Sequence, residues 1–153
     1  MVNFLIGGKV KINLSKNFSV QEAQHSDYAE KRGLENTLPA KYYVNALKFA
    51  DNILEPIRAQ FGAFSPNSWY RCEEINKAVG GSPTSDHMLG CAADISIKGV
   101  DNKVLAQWCI DNLMFKQVIL EPSWVHISHL EGDNRCQVLH KTRNGYGIGL
   151  CSE

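Results

Sequence analysis

Two histidines and one aspartate are the residues of this chain whose types best suit catalytic chemistry. His87 and Asp94 lie in one short segment, and His126 follows further along the sequence. A catalytic zinc site needs three nitrogen or oxygen ligands and one open position for water, and these three side chains supply such a set. Spacing alone leaves open the alternative that these residues bind no metal. Many proteins without a metal site contain two histidines and an aspartate at similar separations in sequence.

The backbone around these three residues allows each of them to leave the core. Gly90 permits a sharp turn between His87 and Asp94. From Ala92 to Ile97 every second residue is apolar and faces one way, so Asp94 is predicted to point away from the core. The same alternation places His126 on the face opposite its two apolar neighbours.

Three helices are predicted to frame this segment. Ser19 is followed three residues later by Glu22, a capping-box pattern that indicates the start of a short helix. Apolar residues at three- and four-residue steps predict an amphipathic helix that begins near Pro39 and is stopped by Pro56. Asp101 is the expected N-cap of a third helix.

Period-two alternation predicts the strands that complete the fold. They are Ala92–Ile97, two short segments joined at Pro122 and Ser123, and Gln137–Lys141. The expected class is therefore α+β, with a small antiparallel sheet flanked by helices. A chain of 153 residues is long enough for one domain, for which we expect a core over residues 14–141 and a loosely held, glycine-containing C-terminal tail over residues 142–153.

Composition excludes several classes of partner. Sixteen basic and sixteen acidic residues cancel, so no global field attracts nucleic acid or an anionic membrane. No apolar run approaches the roughly 20 residues of a membrane span, and Gly7, Gly8 and Lys9 interrupt the region where a signal peptide needs an apolar core. We therefore expect no membrane insertion and no export signal.

The five cysteines are odd in number, widely spaced and without a C-x-x-C pair, which favours free thiols. An alternative reaction remains open at this stage. A cysteine-dependent hydrolase would use Cys72 or Cys91 as a thiolate paired with His87.

The run from Ser85 to Asp94 resembles the S-x-H-x-x-G-x-A-x-D signature of the zinc D-alanyl-D-alanine carboxypeptidases, which are LAS-type metallopeptidases. Trp124-Val125-His126 is similar to their downstream W-x-H. The compact branch common in bacteriophage genomes is the most similar, and it implies a Hedgehog/D-Ala-D-Ala peptidase-like fold. The resemblance covers nearly the whole chain, through Leu14–Ser19, Ser68–Arg71, Asn76, Val79–Ser82 and Asn134–Leu139.

This resemblance implies roles for individual residues. It makes His87, Asp94 and His126 the zinc ligands and Arg71 the cation that steadies the substrate carbonyl; an ordinary salt-bridge role for Arg71 is the alternative. A zinc ion lowers the pKa of its bound water to about 7 and polarises the carbonyl under attack. Ser85 and Trp124 are candidates for substrate binding. The alternatives are that Ser85 only caps a turn and that Trp124 only forms a pocket wall.

The general base is the least determined member of the set. Some members of the family have an acid three residues before the last histidine, where this sequence has Ser123. If Pro122 and Ser123 form a two-residue hairpin loop, Glu121 becomes a diagonal neighbour of His126, roughly 7 Å away on the same face. Our hypothesis is that Glu121 accepts the proton of the attacking water; the alternative is a solvated turn carboxylate.

The expected protein is a zinc-dependent peptidoglycan peptidase that uses metal-activated water. It would cut either the terminal D-alanyl-D-alanine bond or the L-alanyl-D-glutamate bond of the stem peptide, and we expect it to act as a monomer. The resemblance places it in the host cytoplasm with release to the wall through a pore, or on the phage particle, with a cytoplasmic bacterial enzyme also open. The alternative of another class is a non-catalytic binding or virion structural protein braced by the metal.

Overall fold

The computed structural model describes residues 3–6 and 9–150. The strands are β1 (Asn3–Ile6), β2 (Lys9–Ile12), β3 (Ala92–Ile95), β4 (Gln117–Leu120), β5 (Val125–Ser128), β6 (Gln137–Thr142) and β7 (Gly145–Ile148). The helices are α1 (Val20–Gln24), α2 (Asp27–Arg32), α3 (Tyr43–Phe49), α4 (Glu55–Phe61), α5 (Glu73–Ala78) and α6 (Asn102–Asn112). Short 3₁₀ turns span Ala40–Tyr42 and Asp86–Leu89, and a π-helical turn spans Ala50–Leu54.

The expected α+β class is confirmed. Five strands form one sheet in the order β3-β5-β4-β6-β7, while β1 and β2 pair separately. All pairs in the larger sheet are antiparallel except β4 with β6. The parallel pair arises because residues 129–136 carry the chain past the start of β4, so β6 begins beside Gln117 and runs in the same direction. Period-two alternation in a sequence specifies a strand but not its neighbour.

Two of the predicted helix starts have the expected caps. The Ser19 hydroxyl accepts a hydrogen bond from the Glu22 backbone N–H, and the Glu22 carboxylate accepts one from the Ser19 N–H. At the start of α6, the Asp101 carboxylate accepts from the backbone N–H groups of Lys103 and Val104. Side-chain oxygens thus satisfy backbone donors that have no partner within the helix.

The prediction that Pro56 stops the central helix is wrong. The helix continues through the π-helical turn into α4 and ends at Phe61, where Gly62 has a φ of 89°. Proline lacks a backbone N–H and its ring clashes with the carbonyl four residues earlier in a regular α-helix. The Glu55 N–H bonds instead to the Ala50 carbonyl, five residues back, so this wide turn changes the backbone geometry just before the proline.

The core lies between the helices and one face of the sheet. Trp69 is fully buried and contacts the rings of Phe18 and Phe49, with centroids 6.4 and 5.7 Å away. The sheet contributes the apolar side chains of alternate residues, including Ala93, Ile95, Val118, Val125 and Ile127. The opposite face of the same strands is therefore left for polar side chains.

The expected C-terminal tail contains an element that we did not predict. Within residues 142–153, Gly145–Ile148 form β7, which pairs with the end of β6. Cys151–Glu153 of that tail lie outside the described residues, as do Met1, Val2, Gly7 and Gly8 of the segment considered for an export signal. Across the described ranges, no helix has both the length and the apolar character that a membrane crossing requires.

Candidate metal centre

His87, Asp94 and His126 converge on the polar face of the sheet. Asp94 and His126 are direct cross-strand partners in β3 and β5, and His87 reaches them from the 3₁₀ turn. His87 Nε2 lies 3.2 Å from His126 Nδ1 and 3.3 Å from Asp94 Oδ1. His126 Nδ1 lies 3.1 Å from the same Asp94 oxygen. Three donor atoms from three separate elements thus form a nearly equilateral triangle.

The size of this triangle fits a zinc ion. Zinc bound at about 2.0–2.1 Å in a tetrahedron has ligand atoms about 3.3–3.4 Å apart, close to the three edges observed. Two imidazole nitrogens and one carboxylate oxygen are also ligand types that zinc accepts in catalytic sites. The residues present therefore fit a zinc ion.

A hydrogen bond to the backbone orients the His87 ring. The side chain is 2% exposed, and its Nδ1 lies 2.6 Å from the Trp69 carbonyl oxygen. A carbonyl accepts, so Nδ1 carries the proton and Nε2 offers its lone pair to the triangle. Burial lowers the pKa of His87 and outweighs the opposing effect of Asp94. The imidazole is therefore held neutral, as a metal ligand must be.

Asp94 is ionised in this setting. Burial by itself would raise the pKa of the carboxyl, but the hydrogen bond with His126 holds it well below its ordinary value. The backbone of Asp94 is fixed as well, because its N–H and C=O pair with Ser68 and Asn67 at 2.8 Å each. The segment that contains Asn67 and Ser68 thus lies alongside β3 and positions Asp94.

Arg71 belongs to the same cluster. Its Nη2 donates to Asp94 Oδ2 and lies 3.0 Å from His87 Nε2, while its Nε donates to the Ser68 hydroxyl at 2.9 Å. The side chain is only 15% exposed. The Arg71 guanidinium therefore lies within this cluster and is largely shielded from solvent.

The 3₁₀ turn that carries His87 is held at both ends. The Ser85 hydroxyl accepts from the His87 backbone N–H at 3.3 Å, so Ser85 caps this turn. Gly90 ends the turn with a φ of 74°, a conformation that favours glycine. The Gly90 carbonyl accepts from the buried Trp69 indole at 2.8 Å. The sharp turn expected at Gly90 is therefore present, and Trp69 hydrogen-bonds both to its end and to the His87 ring.

A second loop closes one side of the site. The Asn76 amide donates to the Ser82 carbonyl at 2.8 Å, and the Gly81 N–H bonds to the Asn76 carbonyl at 2.8 Å. A Cβ at Gly81 would clash with the Asn76 side-chain oxygen, so a larger residue would force the Asn76 side chain to move. This packing explains why Asn76 and Gly81 occur together in the segment before the Ser85–Asp94 motif.

Glu121 and Trp124 lie at the end of the β4–β5 hairpin. The Glu121 N–H bonds to the Trp124 carbonyl at 3.0 Å across the two-residue loop of Pro122 and Ser123. Since Ile119 pairs with His126 in the ladder, Glu121 is a diagonal neighbour of that histidine on the same face. The hairpin has the geometry on which our general-base hypothesis depends.

These residues line one cavity of about 450 Å³. The structure brings all seven candidate site residues to it, namely Arg71, Ser85, His87, Asp94, Glu121, Trp124 and His126. It also adds residues that were not site candidates from the sequence, including Asp86, Lys116, Gln117, Arg135, Gln137 and Tyr146. No quoted motif contains Lys116, Gln117 or Tyr146, which come from strand faces and loops that only the fold brings together.

The cysteine-dependent alternative is not supported. Burial raises the pKa of Cys91 to about 12, so this thiol stays protonated near neutral pH. Neither Cys91 nor Cys72 lines the cavity that holds the candidate site residues. The four cysteines within the described residues, Cys72, Cys91, Cys109 and Cys136, are free thiols.

Comparison with known families gives one match. Residues 16–128 match the family model described as Peptidase M15, a span that covers most of the chain and runs from before α1 to the end of β5. All seven candidate site residues fall inside this span. No curated protein matches the chain.

Proposed function

The chain belongs to the peptidase M15 family of metallopeptidases, and on that premise we propose that it is a zinc-dependent hydrolase of peptidoglycan stem peptides. The bond cut is the terminal D-alanyl-D-alanine bond or the L-alanyl-D-glutamate bond. One observation carries the proposal: the triangle of His87, Asp94 and His126 donor atoms, with edges of 3.1 to 3.3 Å, lies in a cavity that also contains a carboxylate and a guanidinium.

In this proposal, His87, Asp94 and His126 hold Zn²⁺ through Nε2, Oδ1 and Nδ1. When bound, zinc supplies a Lewis acid that polarises the scissile carbonyl and lowers the pKa of water. The protein contributes a neutral His87 and an ionised Asp94, and it presents all three ligands on a rigid turn and two paired strands. Because the ligands are already in place, the site does not have to be assembled during the reaction.

Glu121 acts as the general base in the same proposal. Its carboxylate is half-buried at the hairpin end, on the cavity face that carries His126. From there it accepts the proton of the attacking water and later passes it to the leaving amine. Transfer by a positioned side chain typically contributes about a hundredfold to ten-thousandfold in rate.

Arg71, Ser85 and Trp124 contact the substrate. The Arg71 guanidinium, held by Ser68, stabilises the negative charge that develops on the substrate carbonyl oxygen. Ser85 lines the cavity while its hydroxyl caps the turn, and Trp124 forms part of the wall. The stem peptide is the partner that we propose, and the protein acts as a monomer.

We place the enzyme in a bacteriophage setting. It serves either as a lysis enzyme that reaches the wall through a pore or as a component of the particle. This setting rests on the resemblance of the Ser85–Asp94 motif to the compact phage branch.

The test is digestion of purified peptidoglycan by the zinc-loaded protein, with mass spectrometry of the released fragments. Loss of one D-alanine identifies the carboxypeptidase reaction, and release of stem peptides beginning at D-glutamate identifies the endopeptidase reaction. A chelator should stop release, and added zinc should restore it. His25→Asn, a change at an exposed histidine outside the cavity, is the matched control and should remain active.

Glu121→Gln tests the proposed base. The amide keeps the size of the side chain but cannot accept the proton, so we expect normal zinc content and a loss of turnover of about a hundredfold or more. Near-normal release by this variant would assign the base to another group. Bound zinc without release by the unchanged protein would instead favour the metal-braced, non-catalytic alternative.

A further inference from the structure

Tyr146 is a cavity residue for which neither the sequence motifs nor the family match gives a role. It lies on β7, beyond residues 16–128 that match the family model. Its hydroxyl donates a hydrogen bond to Glu121 Oε1 at 3.2 Å, although the two residues are 25 positions apart. The side chain therefore joins the last strand of the sheet to the proposed general base.

The strand that carries Tyr146 is fixed in place by its own packing. His140 pairs with Gly147 across the β6–β7 ladder, and its ring lies so close that a Cβ at Gly147 would be 2.3 Å from the His140 Cε1. His140 Nδ1 also lies 2.8 Å from the Gly149 carbonyl oxygen. These contacts hold β7 against β6 on the face away from the cavity.

On the cavity face, the Tyr146 ring has a further partner. Lys141 is its direct cross-strand neighbour, and the Lys141 ammonium lies 4.3 Å from the ring centroid. A cation over the face of a tyrosine ring stabilises that arrangement. Tyr146 is 52% exposed, so the position of its ring depends on the strand and on Lys141 rather than on burial.

Glu121 needs such a partner. The hairpin fixes its backbone, but three side-chain bonds remain free to rotate. Within residues 11–150, Tyr146 is the one hydrogen-bond donor to this carboxylate. A donor on Oε1 selects one orientation and leaves Oε2 to accept a proton.

We propose that Tyr146 is a positioning residue that holds the Glu121 carboxylate toward the triangle of His87, Asp94 and His126. The inference rests on the proposed function, in which Glu121 is the general base. It assigns a catalytic contribution to the C-terminal strand.

Tyr146→Phe is the decisive variant, since it removes the hydroxyl and keeps the ring over which Lys141 lies. Misplacement of a catalytic group by about 1 Å can cost about a hundredfold, so we expect kcat to fall about ten- to a hundredfold. KM should change by less than about threefold, because the lost interaction acts on the base and not on substrate binding. Tyr146→His and Tyr146→Leu also place no hydroxyl at this point, so neither variant should restore the activity that Tyr146→Phe loses.

Tyr28→Phe is the matched control. This tyrosine also lies under a cation, with the Arg32 guanidinium 3.8 Å from its ring centroid, but it is outside the cavity. Its kinetic constants should match those of the unchanged protein. A similar loss in both variants would attribute the effect to general destabilisation and overturn the inference.

A second measurement does not depend on activity. Crystal structures of the metal-free protein should show the Glu121 side chain in one conformer, and in several conformers in Tyr146→Phe. An unchanged Glu121 conformer in the variant, or a kcat within about twofold of normal, contradicts the inference. If the unchanged protein releases nothing from peptidoglycan, the proposed function fails, and the Glu121 conformers still decide whether Tyr146 positions this carboxylate.

Discussion

At the scale of single residues, the site depends on a few hydrogen bonds that fix which atom faces inward. The Trp69 carbonyl holds the His87 proton on Nδ1, and the ladder between β3 and β5 sets Asp94 beside His126. A backbone carbonyl thus directs the His87 ring, and the backbone pairing of the two strands brings Asp94 and His126 side by side.

Asp94→Asn tests the metal ligands at this scale. The amide is uncharged and presents a weaker donor to a cation, so we expect zinc affinity to fall about a hundredfold or more. Isothermal titration calorimetry with zinc measures the change directly. Asp27→Asn is the control, because the exposed group His25, Asp27 and Glu30 is a second set of possible ligand atoms. A larger loss of affinity in Asp27→Asn would place the zinc site there instead.

At the scale of elements, the structure shows how the N-terminal segment is attached to the central helix. Glu55 at the start of α4 accepts hydrogen bonds from the Ser15 hydroxyl at 2.6 Å and from the backbone and side-chain N–H groups of Asn17 at 2.7 Å each. Burial alone would raise the pKa of Glu55, but these hydrogen bonds lower it below its ordinary value.

Glu55→Gln should lower the free energy of unfolding by about 1–3 kcal/mol at pH 7, since hydrogen bonds to a charged acceptor are lost. A carboxyl whose folded pKa is depressed stabilises the fold above its unfolded pKa, and this contribution is lost as the pH falls through the folded value. The difference between the two proteins should therefore shrink below about pH 4.3. Urea denaturation at pH 7 and pH 3.5 measures it. Glu74→Gln, an exposed change on α5, should stay within about 0.5 kcal/mol; a constant Glu55→Gln difference at both pH values would contradict the argument.

At the scale of the whole molecule, the three donor atoms come from three elements, and His126 on β5 joins His87 and Asp94 only in the folded chain. Binding at the site therefore stabilises the complete fold and not one segment. The cavity extends from this site across the sheet as far as β7, so the full width of the sheet contributes to it.

Zinc should therefore raise the global stability of the protein. At a free zinc concentration about a hundred times the Kd, the expected gain is about 2.7 kcal/mol, seen as a higher Tm. The gain should decrease as the solution becomes more acidic, because the two imidazoles must be neutral to bind metal. Thermal unfolding with and without zinc, at pH 7.5 and pH 5.5, gives both values. A Tm that does not respond to zinc in the unchanged protein would argue against a site formed by these three residues.

The sequence by itself determined the features that short patterns encode. Capping residues gave the starts of α1 and α6, alternation predicted strands over residues that fall in β3 to β6, and the Ser85–Asp94 motif indicated the family. These features depend on interactions between residues close in sequence, and so they can be recognised from the sequence alone. The end of the central helix was missed because a π-helical turn allows Pro56 to continue it, and no local pattern revealed that turn.

Only the tertiary structure decided which strands are neighbours and what they bring to the cavity. The parallel β4–β6 pair, the place of β7 at the sheet edge and the contact between Tyr146 and Glu121 all depend on how the chain crosses from β5 to β6. Strand periodicity records which face a side chain takes but not which strand lies beside it. Pairing between distant strands is set by the packing of the whole sheet, and for that reason only the tertiary structure reveals it.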